Sequence, residues 1–271
     1  MRFIYVGDVV GRAGRAAVAS RVPELRQRLE LDAVVVNGEN AAAGYGLTAQ
    51  IAADFFSAGV DIITLGNHAW DQRELVQTID RESRIVRPLN MASGTPGRGA
   101  QLIKTARGKR LLVVQVLGRL FMGLFDDPFR ALETELQSWQ LGGNVDAILV
   151  DVHAEATSEQ MALGHFCDGR VSQVAGTNTH VPTADAHILV GGTGYITDLG
   201  MTGDYDSVIG MDKSGSIVRW RTDTPTRRLE PATAEATLCG VLVDTDVRTG
   251  LATRIVPIRE GGRLQVSSPS A

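Results

Sequence analysis

RFIYVGDVVG, residues 2–11, decides the fold. The run RFIYV is rich in aromatic and β-branched residues, which suit a buried strand. It stops at Gly7, gives way at once to Asp8, and is followed by a helix-forming segment, GRAAVASRVPELRQRLE (14–30), in which Pro23 is expected to cause a local disturbance. The same order repeats. AVVVNG (33–38) precedes the helical TAQIAADFFSAG (48–59), and VDIITLG (60–66) precedes DQRELVQTIDR (71–81), with Asp71 expected at the helix N-cap. Strands joined by helices imply a mainly parallel sheet covered on its faces.

Beyond residue 99 the pattern changes. AQLIKTARGKRLLVVQVLG (100–118) reads as a hairpin with RGK at its turn. PFRALETELQSWQ (128–140) and ATSEQMALGHFCDG (156–169) read as helices, and VDAILVDVH (145–153) as a buried strand. VSQVAGT (171–177), HILVGGTGYITD (187–198) and TLCGVLVDTDVRTGLATRIVPIRE (237–260) read as strands and hairpins. A parallel half followed by a half with hairpins predicts an α/β fold of two sheets packed face to face with helices outside. Residues 1–262 are expected to form one domain, and 263–271 to fray.

Composition narrows the function classes. Of 271 residues, 44% are hydrophobic and 21% charged, as in an ordinary globular protein long enough to bury a real core. A net charge of −4 gives no support for a surface that coats nucleic acid. It leaves open a small phosphorylated substrate, because local cations can outvote net charge. Cys167 and Cys239 sit in apolar surroundings without CxxC spacing and read as buried thiols. No signal peptide and no apolar run of membrane-spanning length is visible, so a cytoplasmic protein without membrane association is expected.

The informative polar residues stand where the strands end. These ends carry Asp8, then Glu39 and Asn40 in NGEN, Asn67 and His68 in GNHAWD, His153 in DVHAE, and Asn178 and His180 in GTNTH. In open α/β sheets, ligand sites lie beyond the carboxyl ends of strands. Each residue alone is weak, since strand-terminal Asp and Asn are more often turn or cap residues. Five consecutive ends carrying carboxylate, amide or imidazole are more than turn statistics supply. A mixed oxygen and nitrogen set suits Mn, Fe, Mg or Zn better than a thiolate site does. Gly7, Gly38 and Gly66 remove bulk beside these ligands.

Other candidates fare worse. His165 and His187 read as packing residues, and Arg12 and Arg15 as solvated helix residues. Tyr195, Asp198 and Asp206 fall in a Gly-rich stretch that could line a pocket. GDVVGRAGR lacks GxGxxG spacing, and Asp8 would repel a pyrophosphate unless a cation intervened. No Walker lysine pattern or GxSxG elbow occurs.

The blocks GDVVG, NGEN, GNHAWD, HAEATSE and GTNTHVPTAD resemble, in order and spacing, the signatures of the calcineurin-like metallophosphoesterases. They are most similar to the bacterial branch of 2′,3′-cyclic-nucleotide 2′-phosphodiesterases, and GGTGYITDLGMTGDYDSVIGMD (191–212) fits that branch too. The resemblance implies a four-layer α/β/β/α sandwich of two mixed sheets. It also implies two divalent metal ions, Fe or Mn with Mg or Zn as alternatives, and attack on a phosphodiester by a hydroxide bridging them.

By the same resemblance Asp8, Glu39, Asn40 and His180 would hold one ion. Glu39 would bridge to a second, held also by Asn67, His153 and Asn178, with His68 as the catalytic histidine. Two positions depart from the pattern. Val10 stands where the wider superfamily has a histidine, and Asn40 takes over that duty. Asn178 stands where the branch has the first of two histidines, which favours harder ions such as Mn or Mg at the second position. The implied partner is a small cyclic nucleotide or other phosphoester, and homo-oligomerisation stays open. A metallophosphatase for phosphomonoesters or phosphoproteins would need the same clamp. A metal-binding regulatory protein with vestigial catalysis also remains.

Overall fold

Alternation along the first strand shows how the layers form. In β1 (Arg2–Val6), Ile4 and Val6 face helices while Phe3 and Tyr5 face a second sheet. The computed structural model describes residues 1–222 and 228–269. Its elements continue with α1 (Gly11–Arg28), β2 (Ala33–Asn37), α2 (Ala49–Ser57), β3 (Ile62–Thr64), α3 (Arg73–Thr78) and β4 (Ile85–Val86). Next come β5 (Ala100–Lys104), β6 (Arg110–Leu117), α4 (Pro128–Leu136), β7 (Ala147–His153), α5 (Thr157–Phe166), β8 (Gln173–Thr177), β9 (His187–Ile188) and β10 (Gly194–Ile196). The last are α6 (Lys213–Arg221), β11 (Leu238–Thr245) and β12 (Ala252–Glu260).

Two six-stranded sheets result, in the orders β12-β11-β1-β2-β3-β4 and β5-β6-β7-β8-β10-β9. The centres are parallel, from β1 to β4 in one sheet and from β6 through β7 and β8 to β10 in the other. Antiparallel strands flank them: β11 and β12 beside β1, β5 beside β6, and β9 beside β10. Both sheets are therefore mixed. The hairpin over residues 238–260 joins the sheet of the N-terminal strand.

Three apolar layers separate four structural layers. One lies between α1, α2 and the first sheet, with Val18, Val22, Leu25 and Phe55 against Ile4, Val34 and Val36. The middle one lies between the sheets, where Tyr5, Val35 and Ile62 meet Val113, Leu149 and Ile196. The third lies under α4 and α5, with Leu132 and Leu163 on Val114, Val150 and Val174. The expected α/β/β/α sandwich is the observed fold, and period-2 alternation on strands buried on both faces explains it.

Three local expectations need correction. The first helix runs through the exposed Pro23 to Arg28 without a break. The third is shorter than 71–81: α3 starts after Gln72 and a 3₁₀ turn covers Ile79–Arg81. Asp71 does not cap it, because its carboxylate is drawn to His68 Nδ1, 2.9 Å away. Residues 213–221 form a helix that the sequence pattern did not flag. Asp212 caps it by accepting from the Ser214 and Gly215 amides. In the segment expected to fray, Ser267 pairs with Arg259 through two backbone hydrogen bonds. Residues 270 and 271 lie outside the described residues.

The inter-sheet layer is fully buried at Leu149, so Leu149→Ala leaves a void between two sheets that cannot close on it. Expected is a loss of about 2–5 kcal/mol in urea unfolding, against under about 0.5 for Val190→Ala at an exposed loop. Equal effects at the two positions would refute the placement of Leu149 between the sheets.

Candidate active site

The parallel strands of both sheets end at one rim, and the polar clusters meet there. Gly7 carries the chain from β1 to Asp8. A Cβ at Gly7 would lie 1.9 Å from the Gly200 carbonyl, so only glycine permits this approach. Asp8 is 0% exposed, Glu39 1%, Asn40 3% and His153 0%. Ligand atoms of Asp8, Glu39 and His153 lie within 4.8 Å of one another. Glu39 is braced from both sides: Asn37 Oδ1 accepts from its amide at 3.1 Å, and the His68 amide donates to its Oε2 at 3.0 Å.

Hydrogen-bond logic fixes which nitrogen of each histidine faces the cluster. His180 Nδ1 lies 2.8 Å from the Ile209 carbonyl, which can only accept, so Nε2 is left bare, 3.9 Å from Asp8 Oδ1. His153 Nδ1 lies 2.8 Å from Thr177 Oγ1, and that hydroxyl donates to Asp151 at 2.7 Å. Its Nε2 therefore points to Glu39 Oε1 and Asn67 Oδ1, each 3.0 Å away. Asp151 is held in turn by Gln115, whose amide also reaches the Leu65 carbonyl on the opposite sheet. This polar bridge ties the two sheets together directly beneath the rim.

Electrostatics show what the cluster lacks. Burial, reinforced by Glu39, pushes Asp8 up to about 7 although His153 opposes it. Burial would raise Glu39 as well, but the charge and hydrogen bond of His153, with help from His68, hold it down to about 2. Burial would lower His153, yet Glu39 and Asp8 raise it to about 9. Burial depresses His180. A proton on His153 thus does part of a cation's work.

The donor set fits divalent cations on three counts. Asp8 Oδ1 and Asn40 Oδ1 are buried with no hydrogen-bond partner, an expensive state for a carboxylate and an amide. Carboxylate, amide oxygen and imidazole nitrogen converge without a thiol. A Cβ at Gly66 would fall 2.1 Å from Glu39 Oε2 and 2.6 Å from His153 Nε2, so the missing side chain keeps this space clear.

Asn67 is exposed at the rim, with its Oδ1 turned to His153. The Asn178 amide donates to Asp8 Oδ2 at 3.2 Å, and its side-chain Nδ2 donates to Glu155 Oε2 at 2.7 Å. His68 is half-buried, tethered to Asp71 and packed edge-on to Tyr45 at 5.5 Å. Asp71 and Glu155 are the residues that strand-end reasoning passed over. The three-residue spacing of His68 and Asp71 within GNHAWD was the available signal.

The weaker candidates lie elsewhere. Arg12 lines a cleft of about 580 Å³ between α1 and residues 233–236, and Arg15 donates to the Ala41 carbonyl. Tyr195 is buried against Thr197. Asp198 accepts from the Thr179 and Gly200 amides, and so braces the His180 loop. Asp206 pairs with Lys213 and Arg263 at the surface. His165 is exposed rather than packed, while His187 stacks edge-on to Tyr195. Cys167 and Cys239 are buried free thiols. Among the described residues no helix is long and apolar enough to cross a membrane.

A family model described as YmdB-like protein matches residues 4–258. The chain belongs to the YmdB-like family. It is 46% identical over 255 residues to the 2′,3′-cyclic-nucleotide 2′-phosphodiesterase of Bacillus subtilis (strain 168), covering 94% of this chain and 95% of that one. A crystal structure of a hypothetical protein from Thermus thermophilus superposes with a TM-score of 0.89 at 42% identity, over 99% of this chain and 100% of the other. A novel phosphatase from Mycoplasma pneumoniae superposes at 0.87 with 32% identity, over 98% and 94%. YmdB-like membership agrees with the motif reading and with a cluster built for divalent metal.

Linkage sets the pH behaviour of the metal-free protein. Asp8 binds its proton more tightly folded than unfolded between its ordinary 3.8 and about 7, and His153 does so between 6.5 and about 9. Both raised values make folding less favourable as pH rises through those windows. Glu39, held down, acts in the opposite sense only below 4.5, and the lowered His180 only below 6.5. Each excess proton is worth about 1.4 kcal/mol per pH unit, and each kcal/mol roughly 2–4 °C of Tm. In EDTA, Tm should fall from about pH 6.5 to about pH 8.5, and the rise on adding Mn²⁺ should grow over the same range. Calorimetry showing a Tm that climbs with pH in EDTA would contradict the charge assignment.

Proposed function

We propose that the chain is a metal-dependent phosphodiesterase acting on small 2′,3′-cyclic nucleotides. The observation that carries this is the convergence of Asp8, Glu39 and His153 at the strand ends, with two buried oxygens left unpartnered. Membership in the YmdB-like family and the name of the Bacillus subtilis relative supply the substrate class. Asp8, Glu39, Asn40 and His180 would hold one cation, and Glu39, Asn67, His153 and Asn178 a second. When bound, two divalent cations neutralise the phosphodiester and activate water for attack at phosphorus. Manganese or iron are the proposed ions, with the amide oxygens favouring the harder of the two.

The chain's own residues supply acid catalysis and orientation. Asp71 accepts from His68 Nδ1, so the ring is fixed with Nε2 outward. From that position Nε2 can donate a proton to the departing ribose oxygen. The His68 amide on Glu39 ties this ring to the carboxylate that would be shared between the two cations. Tyr45, edge-on to His68, limits rotation of the ring.

A panel of 2′,3′-cyclic nucleotides, 3′,5′-cyclic nucleotides, nucleoside monophosphates and phosphopeptides tests the reading. The 2′,3′-cyclic class should be turned over with the highest kcat/KM in Mn²⁺. His68→Ala should lower kcat by about 10²–10⁴-fold with bound metal unchanged by elemental analysis. Asp71→Asn should fall between wild type and that variant. Preference for monoesters would shift the assignment to a metallophosphatase, and full turnover by His68→Ala would remove His68 from the chemistry.

A further inference from the structure

Asn178 is held in an uncommon way. Its φ is 100°, and that of His180 is 67°, both in the left-handed region that few side chains tolerate. The turn is fixed by the Asn178 amide on Asp8 Oδ2 and the Thr179 amide on Asp198. Such a turn presents two side chains from one short loop to the rim, and it is anchored on a candidate ligand.

The orientation of the Asn178 carboxamide follows from its partner. Glu155 leaves β7 two residues after His153, and its Oε2 lies 2.7 Å from Asn178 Nδ2. An ionised carboxylate only accepts, so the amide nitrogen must face Glu155. The carbonyl oxygen is then the prong turned away. Oδ1 accepts no hydrogen bond among the described residues, and the buried unpartnered Asp8 Oδ1 belongs to the same carboxylate that anchors the Asn178 amide.

We propose that Glu155 is a positioning residue that locks the Asn178 amide with Oδ1 toward the second cation, making asparagine an oxygen ligand there. This rests on the two-cation reading given above. Glu39, Asn67 and Asn178 then contribute oxygen and His153 alone contributes nitrogen, a set suited to Mn²⁺ or Mg²⁺ over Zn²⁺. Glu155 is exposed, so replacing it removes the orienting contact without opening the core. Residues that orient a ligand without touching the metal are typically worth about 10–100-fold in affinity.

Equilibrium dialysis of Mn²⁺ with metal-stripped full-length protein, read by elemental analysis and Mn²⁺ electron paramagnetic resonance, separates the possibilities. Wild type should take up two equivalents. Glu155→Ala should keep the first and weaken the second by about tenfold or more. Glu155→Gln should stay within about threefold of wild type, because a glutamine carbonyl accepts from the same Asn178 N–H. Asn178→Leu should weaken the second equivalent at least as much as Glu155→Ala does, and the double variant should add little further. If wild type binds two and Glu155→Ala also binds two with unchanged affinity, the positioning role is wrong while the two-cation reading stands. Equal weakening by Gln and Ala would make Glu155 a source of charge, which also overturns the orienting role. Uptake of fewer than two equivalents by wild type would bring down both readings.

Discussion

Two carboxylates, Asp8 and Glu39, lie buried side by side at the ends of neighbouring parallel strands, and the chain does not neutralise both. Burying one carboxylate already costs several kcal/mol unless a counter-charge and hydrogen bonds compensate. The surrounding structure answers that constraint. His153 supplies one positive charge through its proton, the His68 and Asn178 amides supply hydrogen bonds, and the remaining lone pairs wait for cations. Gly7 and Gly66 keep backbone and space open around them. Without this electrostatic deficit, the Asn37 brace, the Thr177–Asp151–Gln115 bridge and the tight loop at Asn178 would have no common purpose.

Much of the fold was legible because its strands are buried on both faces. Runs such as AVVVN and AILVDVH cannot be exposed strands, and their glycine and polar exits mark one direction of travel. The rim could be read from the sequence for that reason, since parallel strands share an end. What escaped depended on pairing at a distance. The hairpin over 238–260 reads as a hairpin, but nothing local says that β11 docks on β1. The helix over 213–221 has little apolar periodicity, and only Ser216 among its residues is buried. Asp71 reads as a cap because the Asp position before RELVQT favours one. Its hydrogen bond to His68 depends on a side-chain choice that spacing alone does not fix.

The site is also less uniform than its sequence motif suggests. Of the strand-end residues, Asp8, Glu39, Asn40, His153 and His180 are buried, whereas Asn67, His68 and Asn178 stand nearer the surface. The buried group is held by backbone geometry and by inter-sheet hydrogen bonds, so its shape belongs to the fold. Each outer side chain is held by a single hydrogen bond: to Asp71 for His68, Glu155 for Asn178, and His153 for Asn67. Substitution at an outer position can therefore change the site without repacking a layer.

The place of β1 carries a consequence for how the chain is made. It lies at the centre of its sheet, between β2 and β11, and Arg2 pairs with Asp244 across 242 residues. Until residues 238–245 leave the ribosome, β1 has one edge with no partner. An open edge of apolar, β-branched residues is a template for wrong pairing. Strands β1 to β4 and their helices can gather early, but their sheet closes only after residues 238–245 have been made. All the rim residues, from Asp8 to His180, are made before that strand, so the candidate site is complete in sequence while its sheet is still open. Docking of β11, which brings the Cys239 carbonyl to the Gly7 amide, is therefore the late step that fixes the floor under the candidate site.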